Sequence, residues 1–144
     1  MIESPVYIDA NVFIYAMESE GELGMLARRW LMQADRGRIR AVTSELTIIE
    51  VLPHPLSAKN DILVGGYRRL LSDRPTLRVS PVSSDLLFRA AELRADLKSE
   101  TPDAIHLATA LGEGCVRFLT NDTRLKLPPE IARCELADVM ALDP

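Results

Sequence analysis

Short apolar runs alternate along this chain with longer stretches patterned for helices, and that alternation limits the fold more than any other feature. Val6-Tyr7-Ile8, Arg40-Ala41-Val42-Thr43, residues 77–82 and residues 116–120 are each strand-length, with helical segments between them. Runs of this kind read as strands covered on both faces. Parallel strands need crossover connections, usually helices, and helices on both faces make a layered α/β architecture. The expectation is an α/β sandwich around a mostly parallel sheet. The chain is 144 residues long, with no internal repeat, low-complexity tract or linker, so residues 1–144 are expected to form one domain.

The intervening segments carry helix signals. A short helix is expected over residues 12–17. Residues 22–35 place Leu23, Leu26, Ala27, Trp30, Leu31 and Ala34 on one stripe, and Gly37 ends that helix. Ser44 is a candidate N-cap for a helix through Leu46, Ile49 and Val51, broken by Pro53-His54-Pro55. A helix over residues 57–72 is weakened by Gly65-Gly66. Ser83 caps a helix to Lys98. Thr101-Pro102 pairs a capping hydroxyl with a proline at the first helical position, opening a helix to Leu111. Residues 134–136 form a candidate fifth strand.

On this reading four acids fall where chemistry could occur. Asp9 ends the first strand and Asp122 lies just past the fourth. Ligands of open parallel sheets bind outside the carboxyl ends of the strands, so the two would share a crevice if their strands are neighbours. Glu50 interrupts the apolar stretch of residues 46–52, and Asp103 lies in the first turn of the Thr101-Pro102 helix. Clustered carboxylates repel and resist ionisation unless a cation sits among them. An all-oxygen set without a His or Cys cluster suits Mg²⁺ or Mn²⁺ rather than zinc. From spacing alone, each acid also has a plainer role, as a helix-dipole partner (Asp103), a turn former (Asp9, Asp122) or a solvated side chain (Glu50).

Composition narrows the classes. A formal charge of −4 argues against a protein that coats nucleic acid through bulk positive charge, although a local basic rim beside an acidic centre remains compatible with a polyanion. Residues 1–5 show no basic start followed by an apolar run, and no stretch approaches the ~20 apolar residues of a membrane span. Cys115 and Cys134 match neither a zinc signature nor a disulfide framework, and are expected as buried thiols in a reducing cytoplasm.

Four segments resemble the PIN-domain family, and within it the VapC-type toxins of bacterial toxin–antitoxin pairs. They are Val6-Tyr7-Ile8-Asp9-Ala10-Asn11-Val12-Phe13-Ile14-Tyr15, Ser44-Glu45-Leu46-Thr47-Ile48-Ile49-Glu50-Val51, Thr101-Pro102-Asp103-Ala104-Ile105-His106-Leu107-Ala108-Thr109-Ala110 and Phe118-Leu119-Thr120-Asn121-Asp122. The third is the most specific, and the match spans nearly the whole chain. The resemblance implies a three-layer α/β/α sandwich and a Mg²⁺- or Mn²⁺-dependent endoribonuclease. Asp9 and Asp103 match the family's principal metal-binding acids, and Glu50 and Asp122 the auxiliary pair. Asn11, Ser44 and Thr120 match supporting polar positions. The implied partners are an RNA substrate, a small antitoxin whose tail blocks the crevice, and a second copy of the chain as a homodimer.

Other readings compete. The same acids could serve a DNA-directed or structure-specific nuclease, and the fold could be a catalytically silent binding module. A haloacid-dehalogenase-like phosphatase needs a second aspartate where Asn11 stands. His106 reads as a packed or hydrogen-bonded histidine and His54 as a surface loop residue. Arg36, Arg38 and Arg40, and the pair Arg68-Arg69, read as solvated faces or partners of a helix end, with phosphate contact as the other reading. Trp30, Phe13 and Phe88 are expected in the core or at a subunit interface.

Overall fold

The computed structural model describes residues 4–142. Five parallel strands, β1 (Val6–Ile8), β2 (Ala41–Ser44), β3 (Leu77–Ser80), β4 (Arg117–Leu119) and β5 (Ala132–Cys134), form one sheet in the order β3-β2-β1-β4-β5. Helices cover both faces, so the expected α/β/α sandwich is the observed one.

Side-chain alternation along each strand divides the core into two layers. Val6 and Ile8 of β1 and Leu119 of β4 pack with Val12, Phe13, Leu26, Ala27 and Trp30. Those residues come from α1 (Ala10–Glu18) and α2 (Glu22–Asp35). Tyr7 and Phe118 point the other way, into a layer with Ala90, Leu93 and Leu107, from α6 (Ser84–Leu97) and α7 (Thr101–Gly112). All three residues of β1 are buried, as a strand with both faces covered requires. Between β2 and β3 lie α3 (Leu46–Val51), α4 (Pro53–Ser57) and α5 (Asp61–Leu70). A terminal 3₁₀ helix (Leu136–Ala141) is fastened to α2 by Trp30, whose buried Nε1–H donates to the Leu136 carbonyl at 2.9 Å.

Several element boundaries differ from the sequence reading. α1 starts at Ala10, directly after β1, because Asp9 already holds the extended backbone of a cap position. The Thr101-Pro102 helix is capped one residue earlier than expected: Glu100 is the extended residue and Thr101 is helical, so the threonine hydroxyl is not the cap. Ser83 does cap α6, accepting from Leu86 N–H at 3.1 Å. The Pro53-His54-Pro55 break is real, but a new short helix starts at Pro53, where a missing N–H costs nothing. His54 therefore sits exposed on a helix rather than in a loop. The helix expected over residues 57–72 begins only at Asp61, after Lys59 takes a positive φ of 55° and Asn60 caps by accepting from Leu63 N–H. Gly66 lies inside α5 facing α1, where a Cβ would come within 2.8 Å of Met17 Cε, the movable end of that side chain. β5 ends at Cys134, and Leu136 opens the 3₁₀ helix instead of ending a strand. Phe13 and Trp30 are core residues, whereas Phe88 is 75% exposed. Cys115 and Cys134 are free and buried, and burial pushes the Cys115 thiol up to about 12.

Replacing Trp30 by Phe keeps the ring volume roughly filled but strands the buried Leu136 carbonyl. Urea denaturation followed by circular dichroism should show a loss of about 1–3 kcal/mol.

Candidate active site

The chain changes direction across the sheet between β1 and β4. β1 leads outward to β2 and β3, while β4 and β5 occupy the other side. Loops leaving the carboxyl ends of such a pair diverge into opposite layers, and the crevice between them is the usual ligand position. Asp9 follows β1 and Thr120 follows β4, and the Ile8–Leu119 register sets them side by side. The buried Thr120 hydroxyl donates to Asp9 Oδ2 at 2.8 Å and accepts from Asp122 N–H at 3.0 Å. One hydroxyl thus joins the loops that carry two of the expected acids.

Asp103 reaches the same place from the first turn of α7. Burial pushes its carboxyl above the ordinary range, the charges of Asp9, Glu100 and Asp122 push further, and His106 opposes them. Burial also raises Asp9. His106, the Thr120 hydroxyl and the Ala10 N–H pull it down, and Glu50 pushes it up. Asp122 is held below the ordinary range, first by Arg124 N–H, which donates to Oδ1 at 3.0 Å, and then by the Arg124 side chain.

Glu50 faces α7, where His106 Nε2–H donates to Glu50 Oε1 at 2.6 Å. His106 is only 3% exposed, while Glu50 is 30% exposed at the rim. The other imidazole nitrogen, Nδ1, is hydrogen-bonded to the Tyr7 hydroxyl, and the Tyr7 ring stacks on Phe118 at 4.8 Å. All four expected acids therefore lie within one electrostatic neighbourhood. Two supporting positions do not join them: Asn11 is exposed on α1, and the buried Ser44 hydroxyl accepts from Leu46 N–H at 3.0 Å, serving α3. Neither hydrogen-bonds a site acid among the described residues.

Residues 6–130 match the family described as PIN domain. The chain belongs to the PIN domain family. Among solved structures it is similar to a toxin–antitoxin complex from Klebsiella pneumoniae, at 26% identity over 88% of this chain and 95% of that one, with a TM-score of 0.65. VapBC2 from Rickettsia felis, bound to a DNA fragment from its promoter, matches at 18% identity over 91% and 98%, with a TM-score of 0.69. The sarcin–ricin loop cleaving toxin VapC20 from Mycobacterium tuberculosis matches at 16% over 78% and 86%, with a TM-score of 0.62. At the last two identities the likeness speaks for the fold. No curated protein matches the chain.

In this PIN domain a cleft of about 360 Å³ is lined by Asp103, Asp122 and Glu100 together with Lys98, Arg124 and Lys126. That basic rim is not either of the arginine groups singled out from sequence. Lys98 enters it from the end of α6, and the other two from the loop after β4. Tyr7 was also missed, although its place two residues before Asp9, on the face of β1 opposite Val6 and Ile8, was readable. Among the described residues no three His, Cys, Asp or Glu side chains converge closely enough to hold a metal ion as placed, although Glu50 is near enough to Asp9 to raise its carboxyl. The donor chemistry nonetheless fits a hard divalent cation, since Asp9 and Asp103 are raised by burial and by neighbouring acids, a strain that a cation relieves.

That strain has a sign. A carboxyl raised in the folded state destabilises the fold above its folded pKa and stops doing so below its unfolded pKa. Asp103→Asn should therefore raise the melting temperature of the protein in EDTA at pH 7. The advantage should shrink as pH falls through the raised pKa toward the ordinary carboxylate value.

Proposed function

We propose that this chain is a metal-dependent endoribonuclease and the toxin of a toxin–antitoxin pair. The observation that carries the reading is the junction of Asp9, Thr120 and Asp122 at the β1/β4 reversal, with Asp103 brought beside it by α7. Its likeness to a toxin–antitoxin complex over most of both chains supports the biological half of the proposal.

Asp9 and Asp103 would hold the principal Mg²⁺ or Mn²⁺, and Glu50 and Asp122 a second ion or the waters around it. A bound divalent cation supplies an activated water and neutralises charge on the phosphate in the transition state. The chain's own residues do the rest. Thr120 fixes the orientation of the Asp9 carboxylate by donating to Oδ2. Lys98, Arg124 and Lys126 along the cleft offer cations to the RNA phosphates, which offsets the repulsion an acidic centre exerts on a polyanion. Thr120 and the first turn of α7 hold the reacting geometry before substrate arrives, which lowers the cost of reorganisation during the reaction.

The partner assignment is a small antitoxin whose tail fills the acidic crevice, with a homodimer as the working unit. Ile49, Leu56 and Ile62 on α3, α4 and α5 are exposed apolar side chains of the kind a protein partner covers. No helix among the described residues is long and apolar enough to cross a membrane, and the cytoplasm is the proposed location.

Asp9→Asn and Asp103→Asn should each abolish cleavage of RNA in Mg²⁺ or Mn²⁺ while leaving the circular dichroism spectrum unchanged. Matched RNA and DNA oligonucleotides should show cleavage of RNA only. Full activity in both variants rejects the assignment of these acids, and preferential cutting of DNA replaces the substrate. Co-expression with the product of a short neighbouring reading frame should suppress the activity.

A further inference from the structure

The chain Tyr7–His106–Glu50 starts in the core and ends at the rim of the site. Tyr7 is fully buried, its ring clamped against Phe118 and its hydroxyl set on His106 Nδ1. His106 is buried on α7, one turn beyond Asp103, and reaches Glu50 on α3 through Nε2 at 2.6 Å. α3 is a helix of only six residues, broken at Leu52 before the proline-started α4, so its own backbone holds Glu50 weakly. A carboxylate can only accept, so Nε2 carries the proton in this contact.

We propose that His106, locked by Tyr7, is a positioning residue that aims the Glu50 carboxylate at the acidic crevice. The direction of each hydrogen bond follows from the end of the chain. With Nε2–H committed to Glu50, Nδ1 of the neutral imidazole accepts from the Tyr7 hydroxyl, and in either charge state Nε2 remains the donor to Glu50. The phenol then holds the imidazole in one tautomer and one ring orientation. His106 delivers that orientation to Glu50, and the same helix delivers Asp103. Two site acids on different segments thus depend on the rotational setting of α7. Hydrogen bonds of this kind behind a ligating carboxylate are worth about 10–100-fold in metal affinity or activity.

The inference rests on the metal-dependent reading above, and the test separates the two. The full chain and its variants are titrated with Mn²⁺ by calorimetry and assayed for RNA cleavage. ¹⁵N spectra of His106 are recorded without metal. Nitrogen shifts should report the proton on Nε2 in the parent protein. Tyr7→Phe removes one hydroxyl and keeps the stack on Phe118. It should bind Mn²⁺ about 10–100-fold more weakly, or lose as much in kcat with KM unchanged, while its circular dichroism spectrum shows that it stays folded. His106→Leu should lose more, and His106→Gln, which keeps a donor near the Nε2 position, should recover part of the loss. If Tyr7→Phe and His106→Leu match the parent while Asp103→Asn neither binds Mn²⁺ nor cleaves RNA, the positioning role is wrong and the enzyme reading stands. A proton found on Nδ1 alone overturns the role irrespective of activity. Mn²⁺ binding and cleavage retained in Asp103→Asn would remove the assignment of the acidic site and this inference with it.

Discussion

β1 is paired on both edges and covered on both faces, and the position of everything functional follows from that burial. A strand so enclosed leaves only one place for a charged side chain, the point where it emerges at its carboxyl end. Asp9 stands there. Because β4 is the neighbour that enters from the other half of the fold, the residue leaving it, Thr120, is the nearest group able to meet that charge. The alternation inside β1 has a second consequence. Val6 and Ile8 serve the α1/α2 layer, so Tyr7 must serve the α7 layer, where its hydroxyl finds His106. One three-residue strand therefore supplies an acid to the crevice and a hydrogen-bond anchor beneath it.

Gathering carboxylates at one edge of a sheet opposes folding, and the local structure shows how the opposition is contained. Asp103 lies in the first turn of α7, where the helix dipole favours negative charge. Asp122 is tied to the backbone and side chain of Arg124 in its own loop and so stays ionised at little cost. Asp9 and Asp103 carry the remaining strain, as their raised carboxyls show. Stability and cation affinity are set by the same two residues and pull in opposite directions, as expected for a site built to be completed by a ligand.

How much of this was legible in the sequence depends on the range of the interaction. Strand and helix order, the two-layer core and the neighbourhood of Asp9, Asp103, Glu50 and Asp122 follow from apolar periodicity, from local capping patterns and from the resemblance of four short segments. The details that failed are tertiary. Nothing near Glu100 says that it, and not Thr101, takes the extended backbone. The basic rim assembles from Lys98 and from Arg124 and Lys126, far apart in sequence, whereas the arginine runs conspicuous in sequence lie away from the cleft. His106 was legible as a hydrogen-bonded histidine, but its partners, 99 and 56 residues away, were not.

The groups chosen to orient the acids divide by depth. Where Asp9 is most enclosed, its orienting partner is an uncharged hydroxyl, Thr120. The guanidinium of Arg124 is confined to Asp122, at the exposed end of the site. A buried fixed cation beside Asp9 would stabilise the metal-free fold more, but it would neutralise the carboxylate that a divalent ion needs, and it would compete with that ion for the same lone pairs. A hydroxyl sets direction without cancelling charge. The rim cations meet the other requirement, because phosphate contacts made at the surface hold a polyanion without entering the coordination sphere of the crevice. Orientation by dipoles inside and attraction by charges outside is thus the arrangement under which an acidic centre can bind a cation and approach RNA with the same face.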